Sequence, residues 1–249
     1  MQNSKQIINC CVIFILALLT GCQPPAPPAL QFAVHWQGQP LRCDSELTLA
    51  GQTFRLAQLQ LFLSDFAQNQ PIALTPGPVS SDRLVLLGID CQSNDSGQWQ
   101  IPLAVALQPG PLKFTLGVPA AINHQNPLQA QAPLQQSDMH WNWQHGYKFL
   151  RLDLTGSANW SLHLGSTGCS APSVMRAPTT PCQRPNQIPV SMQYSAGSTL
   201  ILDLAPLLAD FVATEENSCM ADVQTHSCQQ LLPRLGVNGT AVTGLWQLR

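Results

Sequence analysis

The feature that most constrains the fold is a series of short apolar segments, each followed by proline, glycine or asparagine. In Phe54–Leu63, every second residue from Leu59 onward is leucine, which is the spacing of a strand with one buried face. Five comparable segments follow along the chain: Leu84–Ile89, Leu112–Val118, Phe149–Leu154, Trp160–Leu164 and Thr199–Leu204. Many short strands separated by turn residues predict an all-β sandwich or barrel.

Two segments depart from this pattern and have helical spacing. In the first, Pro206 would occupy the first turn, where proline is tolerated, and the apolar face consists of Leu204, Leu207, Leu208 and Phe211. The second, Cys228–Leu235, ends before Gly236, a residue typical of helix C-termini. No repeat or linker follows residue 30, so we expect residues 31–249 to form one domain.

The composition excludes two broad classes of protein. Charged residues make up 10% of the 249 residues and hydrophobic residues 45%, which is too apolar for a disordered chain. The formal net charge is −2, whereas a nucleic-acid-binding protein usually carries a basic face. Once these two classes are excluded, the composition is that of a compact globular domain with a weakly charged surface.

The N-terminus predicts export and a lipid anchor. A short apolar run ended by small residues is typical of a secretory signal peptide, and we assign it to residues 1–21. The sequence Leu19-Thr20-Gly21-Cys22 resembles the bacterial lipobox, which predicts cleavage before Cys22 and lipidation of that residue. Residues 22–30 then form a proline-rich spacer. Gln23 carries no inner-membrane retention signal, so we expect attachment to the outer membrane of a bacterial cell envelope.

The cysteines indicate disulfides rather than a metal cluster. Cys10 and Cys11 belong to the signal peptide and Cys22 to the anchor, which leaves six of the nine cysteines. An even number in an oxidising compartment suggests disulfides, although the pairing stays open. Proximity favours two local bonds and leaves one longer one: Cys169–Cys182, Cys219–Cys228 and Cys43–Cys91. No Cys-x-x-Cys motif occurs, which argues against a zinc ribbon and covalent c-type haem.

Histidine and tryptophan are concentrated in the middle of the chain. Trp141 and Trp143 would share one face of an extended strand, and His163 lies between two leucines, so its imidazole would point away from the core. Neutral imidazoles without carboxylates suit copper. Histidines packed for structural reasons, or a tryptophan platform that stacks on sugars, would produce the same pattern. The chain has no Gly-x-Ser-x-Gly, His-Glu-x-x-His or phosphate-binding glycine loop, which disfavours a familiar hydrolase.

Four motifs in this part of the chain carry a family resemblance. They are Phe114-Thr115-Leu116-Gly117-Val118-Pro119, Asn123-His124, the segment 139–151 with Met139, Trp141, Trp143 and Gly146-Tyr147-Lys148-Phe149-Leu150-Arg151, and His163-Leu164-Gly165-Ser166-Thr167-Gly168-Cys169. The positions of Cys182, Cys219-Met220, Cys228 and Leu235-Gly236 fit the same pattern. Over about residues 31–236 the sequence resembles the MbnP-like proteins, the methanobactin-operon partner family, also described as a member of the metallo-mystery pair.

The resemblance implies a single immunoglobulin-like β-sandwich with short helices and disulfides. It also implies a partner, a dihaem enzyme of the MauG/cytochrome c peroxidase type, that oxidises a tryptophan of this protein to kynurenine. Copper would then be bound by two histidines and the kynurenine amine. Carried onto this sequence, the ligands are His124 and His163, the oxidised residue is Trp141 or Trp143, and His35 is a weaker third ligand.

On this interpretation the protein is the substrate of an enzyme, not an enzyme, and serves copper uptake or handling. His140 and His145 occupy variable positions of the motif, so the resemblance gives them little weight. A carbohydrate- or ligand-binding lipoprotein that uses its tryptophans as a platform is the main alternative. A purely structural disulfide-rich lipoprotein is a third.

Overall fold

The computed structural model describes residues 26–93 and 96–249, so the predicted signal peptide and Cys22 lie outside the described residues. The strands in chain order are β1 (Ala29–Trp36), β2 (Gln39–Pro40), β3 (Glu46–Leu49), β4 (Gln52–Ala67), β5 (Leu84–Asp90), β6 (Gln100–Pro102), β7 (Gly110–Leu116), β8 (His140–Asn142), β9 (Gly146–Gly156), β10 (Trp160–Gly165), β11 (Ile188–Tyr194), β12 (Leu200–Asp203), β13 (Cys219–Met220) and β14 (Trp246–Leu248). The α-helices are α1 (Leu204–Leu207) and α2 (His226–Leu235), and Ser137–Met139 and Glu215–Asn217 form single 3-10 turns.

The strands in the described residues form two sheets. The smaller has the order β14-β12-β1-β2, with β6 paired to β1. The larger has the order β11-β7-β4-β9-β10-β13, with β3 and β5 paired to β4 and β8 paired to β9. None of the helices in the described part of the chain has the length and hydropathy that a transmembrane span requires.

The two sheets pack on a shared apolar core, which confirms the predicted all-β sandwich. Phe114 of the larger sheet meets Trp246 of the smaller edge to face, with ring centroids 5.3 Å apart. Phe66 stacks on Phe114 at 5.6 Å. Aromatic pairs of this geometry contribute about 0.5–1.5 kcal/mol beyond the area they bury, so the Phe114–Trp246 pair helps to hold the two sheets together, while Phe66 and Phe114 pack within the larger sheet.

Strand β4 crosses the centre of the larger sheet and has two different faces. Leu59, Leu61 and Leu63 are fully buried, as their alternation predicts. Gln58 and Gln60 lie on the opposite face, and β9 places Asp153 and Arg151 beside them in register. A row of polar side chains therefore runs across the sheet on the side away from the core.

The predicted helices differ from the observed ones in length. Helix α2 ends at Leu235, and Gly236 caps it in the left-handed conformation, as expected. Helix α1 spans only Leu204–Leu207, although the predicted apolar face is buried as far as Phe211. Asp210 has a φ of 56°, which α-helical backbone cannot accommodate. The apolar residues therefore keep helical spacing as far as Phe211, although the chain is not helical there.

Three disulfides lie within residues 26–93 and 96–249, and they join the cysteines in the predicted pairs. They are Cys43–Cys91, Cys169–Cys182 and Cys219–Cys228. Cys219 and Cys228 are fully buried, whereas Cys182 is partly exposed. The three bonds therefore differ in how easily a reagent in solution can reach them.

Candidate metal site at Trp141

His163 lies on the polar face of β10 and is fixed by a carboxylate. Its Nε2 is 2.7 Å from Oδ1 of Asp153 on β9, and Oδ2 of the same carboxylate accepts from Nε of Arg151 at 2.7 Å. Because a carboxylate accepts hydrogen bonds, Nε2 of His163 carries a proton, and in the neutral imidazole the lone pair is on Nδ1. That Nδ1 is buried without a hydrogen-bond partner among the described residues.

Asp153 is ionised in this arrangement. Burial raises the pKa of its carboxyl, but hydrogen bonds from His163, Ser161 and Arg151 outweigh that effect and hold the pKa well below its usual range. A carboxylate that orients an imidazole and raises its basicity is a common arrangement behind metal-bound histidines. His163 therefore has the tautomer and the free nitrogen that a ligand needs.

The indole of Trp141 lies next to His163. The ring centroids are 6.4 Å apart, and the His145 ring lies edge to face with the same indole at 6.2 Å. Gly165 makes room for the indole, because a Cβ at that position would be 2.6 Å from Cζ3 of Trp141. The indole is partly exposed and, with His145 and Met220, lines a surface cavity of about 450 Å³.

His145 also has a defined tautomer. Its Nδ1 is 3.1 Å from Oδ1 of Asn142, which accepts the backbone N–H of His145 at 2.8 Å as well. The amide oxygen can only accept, so Nδ1 carries the proton and Nε2 has the lone pair. Burial lowers the pKa of His145, which keeps the imidazole neutral, the form that binds metals.

The turn that positions His145 replaces part of the predicted strand. Trp141 belongs to β8, but the strand ends at Asn142 and Trp143 lies in the turn that leads into β9. The expected shared strand face of Trp141 and Trp143 is therefore wrong. The physical reason is that the Asn142 side chain binds the backbone three residues on, which reverses the chain as asparagine often does.

Asn123 holds this turn against β10. Its Nδ2 lies 3.3 Å from Oγ of Ser166 and 3.4 Å from the carbonyl of His145, and its Oδ1 accepts from the backbone N–H of Tyr147 at 3.1 Å. Gly146 has a φ of 76°, and a Cβ there would be 2.2 Å from the carbonyl oxygen of Asn123. Only glycine fits at this position.

A Gly146→Ala variant is expected to lose about 2–4 kcal/mol of unfolding free energy, because left-handed strain adds to a backbone collision. Gly197→Ala is the matched control: its φ is also positive at 84°, but its Cβ would meet nothing within 4 Å. The control should lose only about 1–2 kcal/mol. Urea unfolding of both variants measures the difference, and equal losses would show that the Asn123 contact is unimportant.

His124 lies next to a different part of the chain. Its Nδ1 is 3.3 Å from the carbonyl oxygen of Trp143, and its Nε2 is 3.7 Å from Sγ of Cys182. Burial is the main cause that lowers the pKa of His124, and the nearby His145 contributes. The two histidines are thus neighbours, but the imidazoles that approach the indole of Trp141 are those of His145 and His163.

The remaining histidines of this region are placed as follows. His140 packs edge to face on Tyr147, with ring centroids 5.0 Å apart. Burial and the charge of Lys148 lower its pKa. His35 lies on β1 in the smaller sheet, in register with Asp203, whereas His163 belongs to the larger sheet. The structure therefore does not place His35 on the sheet that carries His163.

Two residues of this cluster are not among the ligands that the sequence predicts. His145 occupies a variable position of the motif, yet the turn brings it to Trp141. Asp153 is one of thirteen acidic residues, and no motif marks it. The sequence does contain a signal for it. Arg151 and Asp153 are polar residues separated by leucine in one strand, and His163 lies between two leucines in the next strand. Neighbouring antiparallel strands bring side chains on the same face of the sheet together.

Comparison with known proteins gives two matches. The model of the MbnP family matches residues 25–221. Among solved structures the chain is similar to MbnP from Methylosinus trichosporium, with a TM-score of 0.78 and 21% identity, over 89% of this chain and 97% of that one. At this identity the second match shows a shared fold. No curated protein sequence matches the chain.

Proposed function

This chain belongs to the MbnP family, and on that premise we propose that it binds copper at Trp141 after a dihaem partner enzyme has oxidised this residue to kynurenine. The observation that carries the proposal is that the Trp141 indole lies next to two histidine rings, with centroid distances of 6.2 Å to His145 and 6.4 Å to His163. Each of these imidazoles has its proton held by a hydrogen-bond acceptor and its lone pair on the other nitrogen.

The chemistry of the side chains supports this assignment. The indole nitrogen cannot bind a metal, because its lone pair belongs to the aromatic ring. Opening of the ring to kynurenine exposes an aromatic amine that can. Two neutral imidazoles and an amine form a nitrogen donor set that suits copper. The protein is then the substrate of the oxidation, and the partner supplies the redox chemistry.

Trp141 is better placed than Trp143 for this reaction. Its indole lines the open cavity of about 450 Å³, so an oxidising partner can approach it. Trp143 lies in the turn, where its carbonyl binds His124. A sugar-stacking platform made of both indoles loses its structural basis, because the two residues do not share a strand.

The second ligand is the point on which geometry and resemblance differ. The resemblance implies His124 beside His163, whereas the ring contacts of Trp141 favour His145 beside His163. We propose His145 as the second ligand. The pair of variants His145→Gln and His124→Gln tests this choice in one copper titration, since only the variant that lacks a true ligand should lose affinity.

A lipid anchor at Cys22 would keep this site close to a membrane. The first strand begins at Ala29, and seven extended residues span at most about 25 Å. We propose that the domain is held at the outer membrane of the bacterial envelope, where copper and a secreted partner meet it.

The proposal as a whole is tested on the wild-type protein produced with and without its dihaem partner. With the partner, we expect the mass change of kynurenine on the peptide that contains Trp141 and one tightly bound copper ion per chain. Without the partner, both should be lost. Tight copper binding by the unmodified chain would overturn the role of kynurenine, and an unmodified chain from the coproduction would overturn the partnership.

A further inference from the structure

A second cluster of metal-binding side chains lies beside the Trp141 site and is distinct from it. It consists of His124 and the disulfide Cys169–Cys182. A ring nitrogen of His124 and the two sulfurs all lie within 4.8 Å of one another, and Nε2 is 3.7 Å from Sγ of Cys182. In the disulfide form the sulfurs are poor ligands, because it is the thiolate that binds metals.

His124 is held in the tautomer that a ligand requires. Its Nδ1 is 3.3 Å from the backbone carbonyl oxygen of Trp143. A carbonyl oxygen only accepts, so Nδ1–H donates and Nε2 carries the lone pair. That lone pair faces Cys182. A backbone carbonyl that fixes the far nitrogen is a common arrangement behind metal-bound histidine.

The two cysteines are held side by side by more than their own bond. The backbone of Thr167 pairs with Arg184 in both directions, at 2.9 and 3.0 Å, and the N–H of Gln183 donates to the carbonyl of Gly168 at 3.1 Å. On the Cys169 side, Nε2 of Gln144 donates to the carbonyl of Cys169 at 2.6 Å. These contacts do not involve sulfur, so the cysteines stay adjacent to each other and to His124 after the disulfide opens.

A reductant can reach this disulfide from one side. Cys182 and His124 line a cavity of about 340 Å³, together with Ser166 and Thr180. Cys182 is partly exposed, whereas Cys169 is buried, with 5% of its surface accessible. An incoming thiolate therefore attacks Sγ of Cys182 and releases the thiolate of Cys169.

From this geometry we propose that Cys169, Cys182 and His124 form a second metal site, one that binds Cu(I) and exists only when the disulfide is reduced. The reductant is a dithiol. Its first sulfur forms a mixed disulfide with Cys182, and its second sulfur then displaces Cys182 and closes the reductant's own disulfide. Two electrons and two protons pass to the protein, and the two thiols lose those protons when the metal binds.

The donor set decides which metal is bound. Two thiolates and one imidazole are soft ligands that suit Cu(I), which is stable with three ligands. Zn²⁺ held by two cysteines and one histidine takes a water as its fourth ligand, whereas Cu(I) needs no more than the three donors that the cluster offers within residues 26–93 and 96–249. Oxidation of the pair back to the disulfide removes two of the three ligands and releases the ion. The cluster thus couples copper binding to the thiol redox state of the compartment.

The test uses the Trp141→Phe chain, so that copper at the proposed kynurenine site does not contribute. Oxidised and dithiol-reduced samples are titrated with Cu(I) under anaerobic conditions against a chromophoric chelator. We expect the reduced sample to bind one more Cu(I) per chain, with two sulfurs and one nitrogen around copper in X-ray absorption spectra. Adding His124→Ala should weaken this binding by at least about tenfold, and adding Cys182→Ser should abolish it.

Two controls separate this site from other thiols. The pair Cys43→Ala with Cys91→Ala should leave the additional copper in place, and after limited reduction an alkylating reagent should label Cys169 and Cys182. Equal copper uptake by both samples would overturn the proposal, as would additional copper that survives both His124→Ala and Cys182→Ser. A failure of the kynurenine proposal would appear instead in the oxidised wild-type protein and would leave these results unchanged.

Discussion

A Trp141→Phe variant produced with the dihaem partner is expected to carry no kynurenine and to bind copper at least about 100-fold more weakly than the wild type. The loss of a residue that only supports a metal ligand already lowers metal affinity by up to about 100-fold, and here a ligand itself is lost. Phenylalanine fills most of the space beside Gly165 and keeps the apolar contact, but it has no nitrogen to expose. Peptide mass spectrometry and an anaerobic copper titration measure the two effects on one sample.

Trp143→Phe is the matched control for this prediction. It removes an indole two residues away, in the adjacent turn, and leaves the backbone carbonyl that accepts from His124. Kynurenine and copper binding should both persist. If Trp143→Phe loses them and Trp141→Phe keeps them, the assignment between the two tryptophans is reversed, and the contacts of Trp141 with His145 and His163 are only structural.

The second large effect is expected for His163→Gln, which should weaken copper binding by roughly 100-fold or more while leaving kynurenine formation intact. The glutamine amide can still donate to Asp153, so the partly buried carboxylate keeps a partner and the fold is preserved. What is lost is the buried Nδ1 lone pair beside Trp141. Thermal unfolding and mass spectrometry of the same sample verify that folding and modification are unchanged.

Two further variants show how the loss of copper affinity depends on the distance of the changed residue from the site. Asp153→Asn keeps the shape of the partner but removes its charge, so copper affinity should fall by about 10–100-fold, less than for loss of the ligand itself. His226→Ala, an exposed histidine that contacts Gln230 at the start of α2, should have no effect. Full copper affinity in His163→Gln would remove this residue from the site and leave its contact with Asp153 as a structural one.

Much of the fold was predictable because it depends on local patterns. The alternating leucines of β4 are fully buried on one face, and the capped helix α2 ends at Gly236 as expected. The disulfides pair by proximity along the chain. Helix α1 was the exception: its apolar spacing continues to Phe211, but the helix stops at Leu207 and the backbone at Asp210 is left-handed. No local pattern in the sequence marked this early end.

The candidate site was less predictable, because it depends on contacts between residues far apart in the sequence. The histidine and tryptophan block was evident, but its extended-strand interpretation failed where Asn142 turns the chain. That turn is held by Asn123, more than twenty residues earlier, and it brings His145 to Trp141. His124, which the resemblance names as a ligand, lies against a disulfide instead.

The sequence by itself determined the fold class and the family, and it favoured the cysteine pairs that the structure contains, since strand alternation, long motifs and cysteine proximity are all properties of the linear chain. Only the tertiary structure decided which indole lies next to two imidazoles and which nitrogen of each neutral imidazole carries the lone pair. The physical reason is that a histidine tautomer is set by the acceptor it meets, here Asp153, Asn142 or the Trp143 carbonyl. For His163 and His124 those acceptors become neighbours only once the strands and turns have packed.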